Sequence, residues 1–256
     1  MIYFTYDSSF EGLLTAVFDV YERKAEKARI ISAKNFQPDM FGEELKVVTD
    51  AAKANRVWKG LQKRISTASL VNVYAVYLSE LAEMEETLLS FSREVFSSNE
   101  NIEENFGSHA VLRVAQIGKQ LFREKHRFEA FVRFQKLQDG TFYATIDPDF
   151  NIIPLITAHF VRRYADQEWL IYDVRRQYGI HYDKKQVQEV YFDFQETNKY
   201  GEAPEETHDQ QEDLYQLLWK VYYKNVNIPA RRNMKLHKQN MPVRYWKYLV
   251  EKEPSG

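Results

Sequence analysis

The stretch that decides the fold class lies in the middle of the chain and reads AFVRFQKLQDGTFYATI (residues 130–146). Its aromatic and β-branched residues predict paired strands over 130–137 and 141–146, and the Asp139-Gly140 step between them is typical of a hairpin turn. Farther along, the pattern predicts a helix over Asn151–Ala165 and strands over Trp169–Val174, Gly179–Tyr182 and Val187–Phe194. Several strands with tight connections favour an α+β fold in which helices cover an antiparallel sheet.

The residues before this stretch predict a small α/β portion followed by a largely helical region. Asp7-Ser8-Ser9 offers N-caps between a strand and a helix, and Asp50 begins a long helical region. The predicted strands are Ile2–Tyr6, Ala28–Ser32 and Leu45–Thr49. The predicted helices are Phe10–Lys24, Ala51–Ile65, Leu70–Phe96 as a single long helix, and Ser108–Phe122 with a possible extension to Arg127.

Composition excludes several classes of function. The chain has 256 residues with 35 basic and 37 acidic side chains, so its net charge of −2 does not mark a nucleic-acid binder. It has no cysteine, which excludes disulfides, thiolate zinc sites and iron–sulfur clusters. The six histidines lack metal-site spacing and no phosphate-loop motif occurs, so we expect no metal and no cofactor. Without a signal-peptide pattern or a long apolar run, we expect a soluble, cytoplasmic protein that does not enter membranes.

Positive charge is concentrated in the basic segment, residues 231–247, which holds six Lys or Arg, one His and no acid. Pro229 and Pro242 each suit the first turn of a short helix, and Tyr245 and Leu249 are expected to pack inward. Cations with interleaved aromatic rings hold phosphates and stack on bases. The alternative is a solvated basic face, or one neutralised by the acidic residues of 189–213. The predicted nucleic-acid contacts are Arg231, Arg232, Lys235, Lys238, Arg244, Lys247 and Trp246.

Two further sets of residues are candidates for a site. Arg127, at the end of Arg123-Glu124-Lys125-His126-Arg127, and the pair Arg162 and Arg163 are candidate anion contacts. Their alternatives are a helix end and a surface ion-pair cluster. His126, His159 and Asp173 are catalytic candidates; the alternative for Asp173 is an ion pair with a neighbour such as Arg176. No reaction follows from these residue types alone.

An ordered series of motifs spans the second part of the chain. It consists of Glu124-Lys125-His126-Arg127-Phe128, Phe142-Tyr143-Ala144, Asp147-Pro148-Asp149, His159-Phe160, Trp169-Leu170-Ile171-Tyr172-Asp173, Arg231-Arg232-Asn233 and Tyr245-Trp246-Lys247-Tyr248-Leu249. This series resembles a bacterial family of unknown molecular function that is labelled a probable DNA metabolism protein. The resemblance is clearest over residues 84–251. It implies an N-terminal portion at 1–83, a family domain at 84–251 and a tail at 252–256.

The resemblance also implies a biological context. Members are similar to a domain found fused to uracil-DNA glycosylases, and they tend to be encoded beside a radical S-adenosylmethionine protein thought to act in DNA repair or modification. We expect neither activity here, because the chain lacks room for the glycosylase and cysteines for the radical enzyme's cluster. The resemblance therefore implies an accessory protein that binds DNA, the radical S-adenosylmethionine partner, or both. A nucleic-acid-acting enzyme with a His/Asp/Arg cleft and a pure protein adaptor remain the alternatives.

Overall fold

The structure, a computed structural model, describes residues 1–38, 42–191, 234–249 and 252. The chain forms two compact units, Met1–Phe122 and Arg123–Gly256. In the described ranges, no helix is long and apolar enough to cross a membrane. The end of the last predicted strand (192–194), most of the acidic 189–213 stretch, and Arg231 and Arg232 lie outside the described residues.

The first unit begins with a parallel sheet. It contains β1 (Ile2–Tyr6), α1 (Phe10–Glu22), β2 (Ala28–Ser32) and β3 (Glu43–Lys46), with strand order β2-β1-β3. The predicted cap is confirmed, since the Ser9 hydroxyl accepts the Gly12 N–H at 2.9 Å and starts α1. The central strand and α1 bury their apolar faces together, which explains the predicted strand–helix–strand opening.

Three helices follow, namely α2 (Ala51–Gln62), α3 (Thr67–Leu78) and α4 (Met84–Ser97). The prediction of one long helix over Leu70–Phe96 is wrong, because α3 and α4 are separate. The Ser79 hydroxyl donates to the Val76 carbonyl at 2.6 Å, and Glu80 adopts a left-handed conformation with φ of 53°. A side-chain hydrogen bond that competes with the helix, followed by a left-handed residue, ends α3.

A long helix, α5 (His109–Phe131), leads into the second unit. There, β4 (Gln135–Lys136), β5 (Phe142–Ile146), β6 (Trp169–Asp173), β7 (Tyr178–Tyr182) and β8 (Val187–Val190) form a sheet in that order, with α6 (Ile153–Arg163) between β5 and β6. Helix α7 (Met234–Asn240) and a 3₁₀ helix (Val243–Tyr248) follow near the C-terminus. The 3₁₀ helix takes the place of the second short helix predicted after Pro242, which is its N-cap.

The predicted α+β architecture is confirmed, with two local differences. The hairpin forms at Gly140, whose φ is 88°, but its first strand is short because residues 130–131 continue α5. Therefore α5 does not end at Arg127. The strands β5 and β6 pair in parallel, whereas the other three pairs of this sheet are antiparallel. A parallel pair needs a crossover, which α6 provides.

Candidate nucleic-acid interface

A carboxylate interrupts the apolar stripe of α5. Buried residues recur along this helix with alternating spacings of three and four, at Val114, Ile117, Leu121, Glu124 and Phe128. Such spacing places all five side chains on one helical face. Glu124 is only 2 % exposed. A buried carboxylate is stable only when it is paired and hydrogen-bonded, so its partners organise the surroundings.

Glu124 has four donors among the residues that the structure describes. It accepts the backbone N–H groups of Asp149 at 3.1 Å and Phe150 at 2.9 Å, which belong to the loop between β5 and α6. It also accepts an N–H of Arg244 at 2.9 Å and the hydroxyl of Tyr245 at 3.1 Å. One side chain of α5 therefore holds both this loop and the 3₁₀ helix.

The 3₁₀ helix is also anchored by apolar burial. Tyr245 is 2 % exposed and Leu249 is fully buried, which confirms the prediction that both pack inward. The Tyr245 ring packs edge-on against Phe128, with ring centres 5.1 Å apart. Burial raises the pKa of Tyr245, and the negative charge of Glu124 raises it further. Because its ring lies in the core, Tyr245 cannot stack on a base.

Arg244 and Lys247 are paired with acidic side chains. Arg244 binds Glu124 and Asp149, and the Lys247 ammonium lies 2.9 Å from Asp147. Arg175 joins the same group, with its Nε 3.1 Å from Asp147. Although burial raises the pKa of Asp147, its hydrogen bond with Lys247 and the charges of Lys247 and Arg175 outweigh it and lower the pKa. Both cations are therefore neutralised by acidic side chains. Their partners are Glu124, Asp147 and Asp149, which lie outside the acidic 189–213 stretch. Their role as nucleic-acid contacts stays a prediction.

Asp173, at the end of β6, is held by contacts that share Arg175 with the group around Asp147. Its carboxylate is fully buried and accepts the N–H groups of Arg175 at 2.9 Å and Arg176 at 3.1 Å. The Arg176 guanidinium donates to it at 2.9 Å and also to the Pro148 carbonyl. Burial raises the pKa of Asp173, while Arg176 opposes that rise. The structure therefore gives Asp173 the neighbour pairing expected as the alternative to a catalytic role.

Lys235 and Lys238 have exposed side chains on α7. At the end of this helix, the Arg127 guanidinium donates to the Gln239 carbonyl at 3.2 Å. Arg123 is exposed one helical turn before Arg127 on α5. Within the described ranges, none of these four cations forms an ion pair with an acid. We call Arg123, Arg127, Lys235 and Lys238 the basic surface.

The other predicted anion contacts do not join the basic surface through any contact among the described residues. Arg162 and Arg163 are exposed at the end of α6. The Arg163 guanidinium lies over the Tyr164 ring, 5.7 Å from its centre, and its Nε donates to the Tyr164 hydroxyl at 3.4 Å. Trp246 is partly buried and donates its indole N–H to the Met241 carbonyl at 3.1 Å.

Two of the three catalytic candidates lie near Glu129. The Nδ1 atoms of His126 and His159 are 3.9 and 3.7 Å from its carboxylate oxygens, and Lys125 is bound to it at 2.6 Å. Asp173 has none of these partners, so the structure does not connect it to the two histidines. Among the described residues, no group of three His, Cys, Asp or Glu side chains could hold a metal ion.

Sequence reasoning overlooked the acids that organise this region. Glu124 could have been found, because a carboxylate at a position of the α5 apolar stripe requires buried partners. Glu129 lies four residues after Lys125, a spacing that brings side chains together on a helix. Asp147 pairs with Lys247 across 100 residues of sequence, and no local pattern signals such a contact.

Comparison with protein families matches residues 82–251 to the model described as a domain of unknown function, DUF4130. Comparison with curated proteins gives no match. The matched residues include α5 from its first residue, the five-stranded sheet and the basic segment. Since the match covers well over half of the 256 residues, the chain belongs to the DUF4130 family.

Proposed function

We propose that this protein is a cytoplasmic accessory factor in DNA repair or modification and that it binds DNA through the basic surface. The observation that carries the proposal is the hydrogen bond from Arg127 to the Gln239 carbonyl. Through this contact, Arg127 of α5 is attached to the last turn of α7, where Gln239 follows the exposed Lys238. The resemblance to a probable DNA metabolism family supplies the biological context.

The ion pairs in the structure indicate which cations of the basic segment should contribute most to DNA binding. A phosphate can bind Lys235 and Lys238 without breaking an ion pair among the described residues. Arg244 and Lys247 would first have to leave carboxylates, so we expect them to contribute less. Neutralisation of phosphates releases counterions from DNA, and the strength of binding follows the number of cations engaged. Arg231, Arg232 and Trp246 remain predicted contacts.

Charge reversal tests the proposal directly. The double substitution Lys235→Glu and Lys238→Glu should weaken binding to a short labelled duplex by at least about tenfold at low salt, because two phosphate contacts become repulsive. A matched control is Lys184→Glu with Lys185→Glu, since both lysines are exposed at the β7–β8 turn of the same unit. The control should bind nearly as well as the wild type. Equal losses in both variants would mean that only net charge matters and would remove the basic surface from the proposal.

A second candidate function is an enzyme that acts on nucleic acid. The observation that favours it is that the Nδ1 atoms of His126 and His159 lie within 3.9 and 3.7 Å of the Glu129 carboxylate. A carboxylate next to an imidazole is a common arrangement for general acid–base catalysis. A screen against single-stranded and double-stranded DNA substrates, with His159→Asn as the comparison, tests this candidate. Turnover that is equal in the wild type and in His159→Asn would reject it.

The proposed protein partner is the radical S-adenosylmethionine protein implied by the family resemblance. Co-purification of the two proteins after nuclease treatment would support a direct complex. A complex without measurable affinity of this chain for DNA would favour the pure adaptor and would contradict DNA binding by the basic surface.

A further inference from the structure

Glu124 lies on α5 between Arg123 and Arg127 of the basic surface and is not part of that surface. It follows Arg123 directly in α5 and precedes Arg127 by three residues. It is buried, whereas Arg123 is exposed and Arg127 is partly exposed. The same helix therefore carries surface cations on one side and a buried carboxylate on another.

The donors to Glu124 follow α7 closely in the chain. Helix α7 ends at Asn240, and only three residues separate it from Arg244, whose guanidinium binds Glu124 at 2.9 Å. The next residue, Tyr245, donates its hydroxyl to the same carboxylate oxygen. With so short a connection, a fixed 3₁₀ helix restricts where α7 can lie.

Arg127 provides a second attachment between the same segments. It donates to the Gln239 carbonyl in α7, and a hydrogen bond from its side chain to the Tyr245 hydroxyl opposes the rise in the pKa of Tyr245 that burial causes. The last turn of α7 and the start of the 3₁₀ helix are thus both fastened to one stretch of α5.

We infer that Glu124 is a positioning residue for DNA binding, which holds α7 so that Lys235 and Lys238 lie beside Arg123 and Arg127. This inference rests on the proposed function. Glu124 is buried and negatively charged, so it does not contact a phosphate itself. Its loss lowers the fraction of molecules with correctly spaced cations, and the apparent affinity falls by that fraction. The number of phosphates engaged by a correctly arranged molecule stays the same.

The test measures the Kd for duplex DNA and the salt dependence of binding in Glu124→Gln and in the wild type. This substitution keeps the size of the side chain and removes its charge. If the arranged state falls to about a tenth of the population, the Kd for duplex DNA rises about tenfold, while the slope of log K against log salt stays at the wild-type value. Tyr245→Phe removes one of the four donors and should raise the Kd about threefold, in keeping with the loss of one hydrogen bond. Glu168→Gln is the control, because this carboxylate of the same unit binds His181 instead, and its Kd should be unchanged.

A slope that becomes shallower by about 0.9 in Glu124→Gln would mean that a phosphate contact has been lost, and this would overturn the positioning role. Wild-type Kd values in folded Glu124→Gln and Tyr245→Phe would also overturn it. If Glu124→Gln does not fold, as judged by circular dichroism, Tyr245→Phe provides the test. A raised Kd in that variant supports the positioning role, and an unchanged Kd contradicts it.

Hydrogen exchange separates failure of this inference from failure of the proposed function. If the wild type does not bind DNA, the proposed function fails, but Glu124 can still be tested as the residue that fixes α7. Faster exchange of the α7 amides in Glu124→Gln or Tyr245→Phe supports that role. Unchanged exchange in both variants contradicts it.

Discussion

The ion pair between Asp173 and Arg176 provides a sharp test of whether Asp173 has a structural role. Asp173→Asn keeps the shape of the side chain and an oxygen that can accept the two backbone N–H groups. It removes the charge that Arg176 requires. The Arg176 side chain is only 10 % exposed, so water cannot fully replace the lost partner.

The expected magnitude follows from this burial. Removal of one partner from a buried ion pair typically destabilises a protein by about 3–5 kcal/mol. Arg176 keeps hydrogen bonds to the Pro148 and Asp149 carbonyls, at 3.2 and 3.0 Å, which places the expected loss near the lower bound, about 3 kcal/mol. Arg176→Gln should cost a similar amount, because it leaves the Asp173 carboxylate buried with only backbone donors.

Urea denaturation of Asp173→Asn, Arg176→Gln and the double variant forms a double-mutant cycle. The double variant should be more stable than the sum of the two losses predicts, by about 2 kcal/mol, because neither residue then leaves an unpaired buried charge. A loss below about 1 kcal/mol in Asp173→Asn, together with additivity, would refute this account. The ion pair would then contribute little to stability, and the result would favour a functional role for Asp173 over a structural one.

Two further predictions concern single residues outside the basic surface. Tyr77 donates to the Ser8 carbonyl at 3.0 Å, and burial raises its pKa from 10.0 to about 12, so the stability it contributes is complete below pH 10 and is lost as the pH rises towards about 12. Tyr77→Phe should lower the free energy of unfolding by about 1 kcal/mol at pH 8 and flatten its decline over that range, as measured by denaturation at each pH. An unchanged pH profile of stability in Tyr77→Phe would show that Tyr77 does not cause the loss of stability between pH 10 and about 12. Gly179→Ala should destabilise β7 by more than about 2 kcal/mol, because its Cβ would lie 2.5 Å from the Ile171 backbone carbonyl oxygen. Gly140→Ala, in open space at a φ of 88°, should cost about 1 kcal/mol when both glycine variants are compared with the wild type by thermal denaturation. Equal losses would show that steric contact at Gly179 is not the cause.

Local signals predicted much of the fold because the physical causes were themselves local. Ser9 and Asp50 begin helices through side-chain bonds to nearby N–H groups, and the Asp139-Gly140 turn forms within a few residues. The break after α3 was missed because Glu80, which is left-handed here, is a good helix former in most settings. The parallel pairing of β5 with β6 depends on the path of α6 over the sheet, which periodicity does not encode.

The candidate interface was predictable in its residue types but not in its pairings. The sequence indicates a concentration of cations, and Lys235 and Lys238 are indeed exposed. It does not indicate that Arg244 and Lys247 bind acids 95 to 120 positions earlier. Those pairs form only when the 3₁₀ helix packs against α5 and the loop after β5. Charge in a sequence therefore identifies a basic segment, and tertiary contacts decide which of its members can reach a ligand.

The most direct test of the central claim is the salt dependence of binding of the wild-type protein to a short DNA duplex. Four cations of the basic surface predict a slope of log K against log salt of about −3.6, and contributions from Arg231 and Arg232 would extend it to about −5. Lys235→Glu with Lys238→Glu should make the slope shallower by about 1.8, since two phosphate contacts are lost. A slope near zero, or no binding at low salt, would contradict DNA binding by this surface.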